Sequence, residues 1–97
     1  MRLWDLVDEG LVCRAVYRGH NESVASVCFA PKKGTFCVSA SQDNTLKVWD
    51  LQAQGEVTSA SMTVVAHQKY INVVKVSPND KLIASSSQDR SVKIWNA

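Results

Sequence analysis

The sequence predicts an all-β fold built from a repeated unit, and three observations support that prediction. A phrase centred on tryptophan occurs three times, at Trp4, Trp49 and Trp95, so the tryptophans lie 45 and then 46 residues apart. Apolar and polar residues alternate along most of the chain, as in strands with one buried face, and no stretch has a convincing helical period. A fixed period of this size indicates one supersecondary unit stacked on copies of itself, because a single unit cannot bury its own apolar face.

The elements follow in order from this alternation and from the turn-forming residues between the alternating runs. The predicted strands cover residues 2–6, 11–17, 23–29, 36–41, 46–51, 60–65, 70–76, 82–87 and 91–96. Turns are predicted at 31–34 and 78–80, which contain proline, and tight hairpins at 42–44 and 88–90. Residues 52–61 are polar and contain Gly and Ser, so they are predicted to form a linking loop.

The repeat extends upstream of the last two tryptophans. The string Ser-Ala-Ser-Gln-Asp at 39–43 recurs as Ser-Ser-Ser-Gln-Asp at 85–89, and each aspartate lies six residues before its tryptophan. Further upstream, Gly19-His20 and Ala66-His67 each precede an alternating apolar run. This order of Gly-His, Ser-x-Ser-x-Asp and Trp-Asp resembles the WD40 repeat, in which each unit contributes a four-stranded blade to a β-propeller. The resemblance covers essentially the whole chain.

The resemblance sets an expected domain organisation. Propellers close with roughly 4–8 blades, whereas 97 residues supply only two repeats of the observed period. We therefore expect a fragment of a WD40 β-propeller, with two four-stranded antiparallel blades plus a flanking strand, in one partial segment over residues 1–97. Residues 1–10 would end a preceding blade, residues 11–51 would form one repeat and residues 52–97 the next. The alternative is a short protein that completes a ring by oligomerising.

The same resemblance implies a buried polar network in each repeat. The Asp carboxylate would accept from the His ring, the second His nitrogen would meet the Ser hydroxyl, and that hydroxyl would meet the Trp indole N–H, so every buried polar group would have a partner. The network residues are His20, Ser39, Asp43 and Trp49 in one repeat, and His67, Ser85, Asp89 and Trp95 in the next. Trp4 has no His or Asp ahead of it and should be the least well held tryptophan.

Two residues depart from the repeat pattern. Ala66 stands where glycine precedes the histidine, and Asn96 stands where aspartate follows the tryptophan. Glycine at the first position would serve an unusual backbone angle or a close strand approach, so Ala66 puts the local turn in question. Asn96 lies outside the network.

A catalytic interpretation of the Ser, His and Asp set is disfavoured by its duplication. A triad needs one exposed nucleophile beside an oxyanion hole, and a copy in every repeat has no chemical use. Three widely spaced cysteines, Cys13, Cys28 and Cys37, form no Cys-x-x-Cys pair, which argues against a zinc site and suits a reducing, intracellular compartment. We expect no catalytic residues, no metal, no cofactor and no small-molecule substrate.

Charge and hydropathy point to no particular ligand. The formal net charge is +2, and Lys32-Lys33 is the only basic doublet, whereas nucleic-acid binders usually show a basic stripe. No apolar run approaches the roughly 20 residues that a membrane span needs, so no membrane partner is expected.

A narrower resemblance appears in the second repeat. The strings at 66–72, 76–84 and 87–90 look like one blade of the transducin-beta-like WD40 family of the small-subunit processome. This implies a non-enzymatic scaffold of the U3 snoRNP in 18S rRNA maturation, located in the nucleolus or nucleus. Its partners would be proteins of a multisubunit complex, with U3 snoRNA and pre-rRNA as indirect partners. The alternative is a general WD40 adaptor in signalling or ubiquitin-ligase complexes.

Propellers usually recruit partners through loops on the narrow face, where the Gly-His loop and the Asp turn project. Tyr70 and Arg90 are the leading candidates, because both side chains combine contact area with directed hydrogen bonds. The full set of predicted partner-binding residues is Asn21, Glu22, Asn44, Gln68, Lys69, Tyr70 and Arg90.

Overall fold

The computed structural model describes residues 1–52 and 54–97, and strands are the only regular secondary structure in those ranges. The strands are β1 Arg2–Val7, β2 Gly10–Tyr17, β3 Val24–Phe29, β4 Phe36–Ser41, β5 Thr45–Asp50, β6 Gly55–Val57, β7 Met62–Val65, β8 Ile71–Val76, β9 Leu82–Ser87 and β10 Val92–Asn96. The all-β class is confirmed, and each of the predicted strands is found within two residues of its predicted ends. Within the described ranges there is no helix long and apolar enough to cross a membrane.

The prediction of a linking loop over residues 52–61 is wrong in part, because Gly55–Val57 forms strand β6. Residue 53 of that predicted loop lies outside the described residues. Strand β6 pairs in parallel with β2, with Gly55 opposite Ala15 and Val57 opposite Tyr17. The backbone groups on the outer edge of β2 gain hydrogen bonds from this pairing, and a three-residue strand is too short to show an alternating pattern.

The strands form three sheets. The N-terminal sheet has the order β1-β2-β6, the central sheet β3-β4-β5-β7, and the C-terminal sheet β10-β9-β8. Every pairing except β2–β6 is antiparallel. Sheets and sequence repeats are offset by one strand, because β7 lies after Trp49 in sequence but pairs with β5 of the central sheet. Each repeat is therefore tied to its neighbour by hydrogen bonds within a shared sheet.

Strand β4 of the central sheet is buried on both faces, because the central sheet stands between the other two sheets. Successive side chains of β4 point to opposite faces. Cys37 packs into a cluster with Tyr17 of the N-terminal sheet and with Trp49. Val38 packs into a second cluster with Ile71 of the C-terminal sheet. Five of the six residues of β4 are consequently buried.

Strands β3 and β8 lie side by side and join the central and C-terminal sheets. The Ser26 hydroxyl oxygen accepts a hydrogen bond from the Val74 N–H at 3.2 Å, and the Cys28 sulfur accepts from the Val76 N–H at 3.4 Å. At one end of these strands, the Asp80 carboxylate accepts from a backbone N–H of the loop between β3 and β4, at Lys33, at 2.8 Å. These contacts fix the two sheets relative to each other.

Candidate functional site

The first polar network lies at the end of the central sheet opposite the Asp80 contact. Ser39 lies on β4 and Trp49 on β5, while His20 precedes β3 and Asp43 lies in the turn between β4 and β5. His20 Nδ1 lies 3.0 Å from Asp43 Oδ2, and His20 Nε2 lies 2.6 Å from Ser39 Oγ. The Trp49 indole N–H donates to Ser39 Oγ at 2.8 Å. The structure thus brings these four predicted residues into one connected chain of hydrogen bonds.

One placement of hydrogens satisfies every group in this chain. A neutral His20 ring donates from Nδ1 to the ionised Asp43 carboxylate and accepts at Nε2 from the Ser39 hydroxyl. The Ser39 oxygen in turn accepts from the Trp49 indole N–H. Because Ser39 is 0% exposed, water cannot replace any of these partners. The network therefore holds four side chains from three separate chain segments in one geometry.

The second network repeats this arrangement in the C-terminal sheet. His67 Nδ1 lies 2.9 Å from Asp89 Oδ2, and His67 Nε2 lies 2.8 Å from Ser85 Oγ. The Trp95 indole N–H donates to Ser85 Oγ at 3.1 Å. The four predicted residues of this repeat are thus brought together as well.

The three tryptophans differ in burial. Trp49 is 1% exposed, Trp95 is half-buried and Trp4 is 48% exposed. Trp49 also packs edge to face against the ring of Tyr17, with the ring centroids 5.4 Å apart. The prediction that Trp4 is the least well held tryptophan is confirmed.

The Asp43 carboxylate accepts more hydrogen bonds than the sequence predicted. Its Oδ1 accepts from the hydroxyl and from the backbone N–H of Thr45, and its Oδ2 accepts from the backbone N–H of Asn21 as well as from His20. Burial raises the pKa of Asp43, but the hydrogen bonds from Thr45, Asn21 and His20 outweigh it and hold the pKa at about 2. The carboxylate is therefore ionised at neutral pH and can organise both the loop before β3 and the β4–β5 turn.

Asp89 is bound in the same way by Ser91, whose hydroxyl and backbone N–H both donate to Oδ1. The hydrogen bond from the Ser91 hydroxyl is the main reason that the pKa of Asp89 lies well below its usual range, and the bond from His67 lowers it further. Sequence reasoning missed Thr45 and Ser91. The available signal was a hydroxyl residue two positions after each network aspartate.

A second pair of serines anchors the loops that enter the inner strands. Ser41 Oγ donates to the carbonyl of Ser23 at 2.9 Å and accepts from the Asp43 N–H at 3.1 Å. The equivalent Ser87 donates to the carbonyl of Tyr70 at 2.8 Å. Sequence reasoning also missed this role, although both serines belong to the repeated Ser-x-Ser-x-Asp string. Each loop is thus held against its neighbouring turn.

The predicted partner-binding residues lie at this end of the sheets, in two groups that we call the central tip and the C-terminal tip. The central tip comprises residues 21–23 and 42–44, and the C-terminal tip comprises residues 68–70 and 88–90. Six of the predicted residues are exposed, namely Asn21, Glu22, Gln68, Lys69, Tyr70 and Arg90. Asn44 differs because it is half-buried and its carbonyl accepts from the Ala66 N–H at 3.0 Å. Asn44 therefore lies at the joint between the two sheets.

The glycine before His20 is explained by a close approach. A Cβ at Gly19 would lie 3.1 Å from Cη2 of Trp49, and Gly19 does not have a positive φ. At the equivalent position the methyl group of Ala66 is accommodated, and Ala66 is only 2% exposed. The two repeats thus pack differently at this point, and the local turn in the second repeat is intact.

Neither Ser-His-Asp set has the geometry of a hydrolase. Ser39 and Ser85 are 0% and 1% exposed, so a substrate has no access to either hydroxyl. Each hydroxyl oxygen also accepts a hydrogen bond from a tryptophan N–H, which occupies one of its lone pairs. Within the part of the chain that the structure describes, no group of three or more His, Cys, Asp or Glu side chains could hold a metal ion.

Comparison with known proteins identifies the repeat. A family model described as "WD domain, G-beta repeat" matches residues 11–50 and 58–96. The chain belongs to the WD40 repeat family. WD40 domains bind other proteins in complexes and are generally non-catalytic scaffolds, which agrees with the buried networks and the exposed tips described above.

Individual relatives narrow the resemblance. "Transducin beta-like protein 3" of Bos taurus is 41% identical and that of Homo sapiens is 39% identical, each over 98% of this chain. "WD repeat and SOCS box-containing protein 1" of Mus musculus is 32% identical over 99% of the chain. The chain spans 13% of the length of the first two proteins and 22% of the third. Nearly the whole of this WD40 segment therefore resembles a part of transducin beta-like protein 3.

Proposed function

We propose that this WD40 segment belongs to a non-enzymatic scaffold of the U3 snoRNP and small-subunit processome, acting in 18S rRNA maturation in the nucleolus. The observation that carries the proposal is the 41% identity to transducin beta-like protein 3 over 98% of the chain. The strings at 66–72, 76–84 and 87–90 add support, because they resemble one blade of the transducin-beta-like processome family. The partners are proteins of that complex, with U3 snoRNA and pre-rRNA as indirect partners.

The physical basis of the scaffold role is the fixed geometry of the tips. Asp43 and Asp89 accept backbone N–H groups of the loops that carry the candidate contact residues, and Ser41 and Ser87 bind the carbonyls of the same loops. A loop that is ordered before binding loses less conformational entropy when a partner docks, so more of the contact energy appears as affinity. The proposed contacts are the exposed residues Asn21, Glu22, Gln68, Lys69, Tyr70 and Arg90, and the half-buried Asn44 supports them.

A second candidate function is supported by a separate comparison. The 32% identity over 99% of the chain to "WD repeat and SOCS box-containing protein 1" favours an adaptor, in signalling or in a ubiquitin-ligase complex. The two candidates place different proteins on the same tips, so their partners distinguish them. We favour the processome because the identity to transducin beta-like protein 3 is higher over the same length of chain.

The test is affinity purification of the full-length gene product from cells, followed by sequencing of the recovered proteins and RNA. Recovery of U3 snoRNA with small-subunit processome proteins, together with nucleolar fluorescence of a tagged protein, is the expected result. Recovery of signalling or ubiquitin-ligase components without that RNA would refute the processome role and favour the adaptor.

A further inference from the structure

The two tips share a backbone and differ in exposed chemistry. Each is built on the same buried hydrogen bonds, and the residues after the network aspartates, Asn44 and Arg90, have almost identical φ angles of 71° and 72°. At equivalent positions, however, the exposed Glu22 of the central tip corresponds to the exposed Lys69, and the half-buried Asn44 corresponds to the exposed Arg90. The central tip thus acts as an internal reference for what the fold alone requires.

Judged against that reference, the C-terminal tip carries residues that folding does not need. Arginine is disfavoured at positive φ, whereas asparagine tolerates it, so Arg90 occupies a backbone position that Asn44 suits better. Tyr70 replaces the Ser23 of the central tip and leaves its aromatic ring 48% exposed. Among the described residues, neither Lys69 nor Arg90 is in a salt bridge. Two cations thus lie on the same pair of adjoining backbone segments as an exposed aromatic side chain.

These three residues are held as one group, which we call the tip cluster: Lys69, Tyr70 and Arg90. Ser87 Oγ lies 3.0 Å from the carbonyl of Lys69 and 2.8 Å from that of Tyr70. The N–H of Arg90 donates to the carbonyl of Ser87 at 3.2 Å, which closes the adjacent turn. The loop before β8 and the β9–β10 turn are therefore joined at Ser87, and the Gln88 N–H adds a hydrogen bond to the Tyr70 carbonyl at 3.0 Å, so the three residues lie on neighbouring backbone segments.

We propose that the tip cluster binds an acidic peptide segment of a partner protein. The Arg90 guanidinium can hold a carboxylate through two parallel hydrogen bonds, Lys69 supplies a second positive charge, and the Tyr70 ring offers an apolar surface for the segment between the carboxylates. This inference rests on the proposed function, because it names the chemistry of one partner of the scaffold.

A peptide fits this surface better than an RNA strand. Affinity for RNA grows with the number of phosphates that Lys and Arg neutralise, and the tip cluster provides two cations. The neighbouring central tip provides Glu22, which would repel a phosphate backbone that continued across both tips. A short segment with a few carboxylates needs only the positive charge of the C-terminal tip.

The test uses fluorescence anisotropy of the full-length gene product with two labelled probes. One probe is a Glu-rich peptide with leucine spacers, and the other has glutamine at each Glu position. The test variant combines Lys69→Glu, Tyr70→Ser and Arg90→Asn, which gives the C-terminal tip the residues that the central tip already carries. We expect wild type to prefer the Glu peptide and the test variant to bind it at least about tenfold more weakly, the loss expected from even one charge-assisted hydrogen bond.

The control variant is Lys81→Glu, which makes the same charge change as Lys69→Glu at an exposed residue of the β8–β9 turn, outside both tips, and should leave Glu-peptide binding intact. Misfolding of the test variant is checked by its melting temperature, which should not fall, because all three residues occur at equivalent positions of the same fold. Arg90→Asn alone is the second variant, since it relieves an unfavourable φ and still removes the bidentate contact.

Equal binding of the Glu and Gln peptides by wild type would overturn the inference, as would undiminished Glu-peptide binding by the test variant and by Arg90→Asn. Binding of oligouridylate in place of the Glu peptide would also overturn it, in favour of an RNA contact. Glu-peptide binding that depends on the tip cluster supports the inference even if U3 snoRNA is not recovered from cells. That last result would refute only the processome assignment, so the two proposals fail separately.

Discussion

Ser39→Ala tests whether the polar network stabilises the fold as its geometry indicates. The substitution removes one oxygen that serves two buried groups, the Trp49 indole N–H at 2.8 Å and His20 Nε2 at 2.6 Å. Each stranded polar group costs about 1–3 kcal/mol, and the alanine methyl offers neither group a partner. Because Ser39 is 0% exposed, water cannot compensate without disrupting the packing. We expect the free energy of unfolding to fall by about 2–4 kcal/mol, allowing for some relaxation of the neighbours.

The assay is urea unfolding of the full-length gene product, followed by far-UV circular dichroism. Ser85→Ala is the matched control, because it breaks the same bonds in the second network, where Trp95 is half-buried and its longer 3.1 Å bond is easier for water to replace. The loss of stability for Ser85→Ala should be about half as large. An unchanged unfolding midpoint for Ser39→Ala, or a larger loss for Ser85→Ala, would refute this reasoning.

Three further predictions follow from packing, charge and edge exposure. Gly19→Ala should lower the melting temperature, whereas Ala66→Gly should change it much less, because only the first substitution places a methyl group 3.1 Å from Cη2 of Trp49. Equal changes in melting temperature for the two variants would contradict this prediction. The pKa of Asp43 is about 2 in the folded chain against an ordinary 3.8, so the stabilising contribution of its carboxylate is complete above pH 3.8 and is lost as the pH falls towards 2. The midpoint of urea unfolding should therefore fall less between pH 3.8 and pH 2 for Asp43→Asn than for wild type. The isolated 97-residue chain should self-associate, because Ile94 is 63% exposed on β10, which has one paired edge among the described strands. In size-exclusion chromatography Ile94→Lys should raise the monomer fraction, and a wild-type chain that is already monomeric and unfolds sharply and reversibly would show the prediction to be wrong.

The strands could be predicted because they follow from strict spacing, whereas the polar networks were predicted from the resemblance to the WD40 repeat. A period-two pattern fixes which residues share a strand face, and the constant six-residue distance from Asp to Trp places both side chains on one hairpin. His20 is far from Ser39 in sequence, and the resemblance to the WD40 repeat implied that the two belong together. The recurrence of a histidine, His67, ahead of a second and similar string supported that implication.

Two kinds of feature were missed. In the first, different residue types supply the same chemical group in the two repeats, and in the second, the contacts leave no pattern in the sequence. Thr45 and Ser91 are different residue types, but each donates a hydroxyl hydrogen bond to its network aspartate, Asp43 or Asp89. Strand β6 has only three residues, which are too few to show a recognisable alternation. The backbone carbonyl of Asn44 accepts from the N–H groups of Ala66 and His67, which is a three-dimensional relation between separate repeats.

The two repeats together separate what the fold needs from what it leaves free. The members of both networks are the same residue types, joined by hydrogen bonds of 2.6–3.1 Å. The sheets they belong to are held together by contacts such as Ser26 with Val74 and Asp80 with Lys33. With the backbone fixed in this way, an exposed residue at a tip can change from Glu22 to Lys69 without altering the geometry beneath it. We therefore expect partner choice in such a scaffold to be set where the two tips differ, because the shared network gives both the same shape and only the exposed side chains give them different charge.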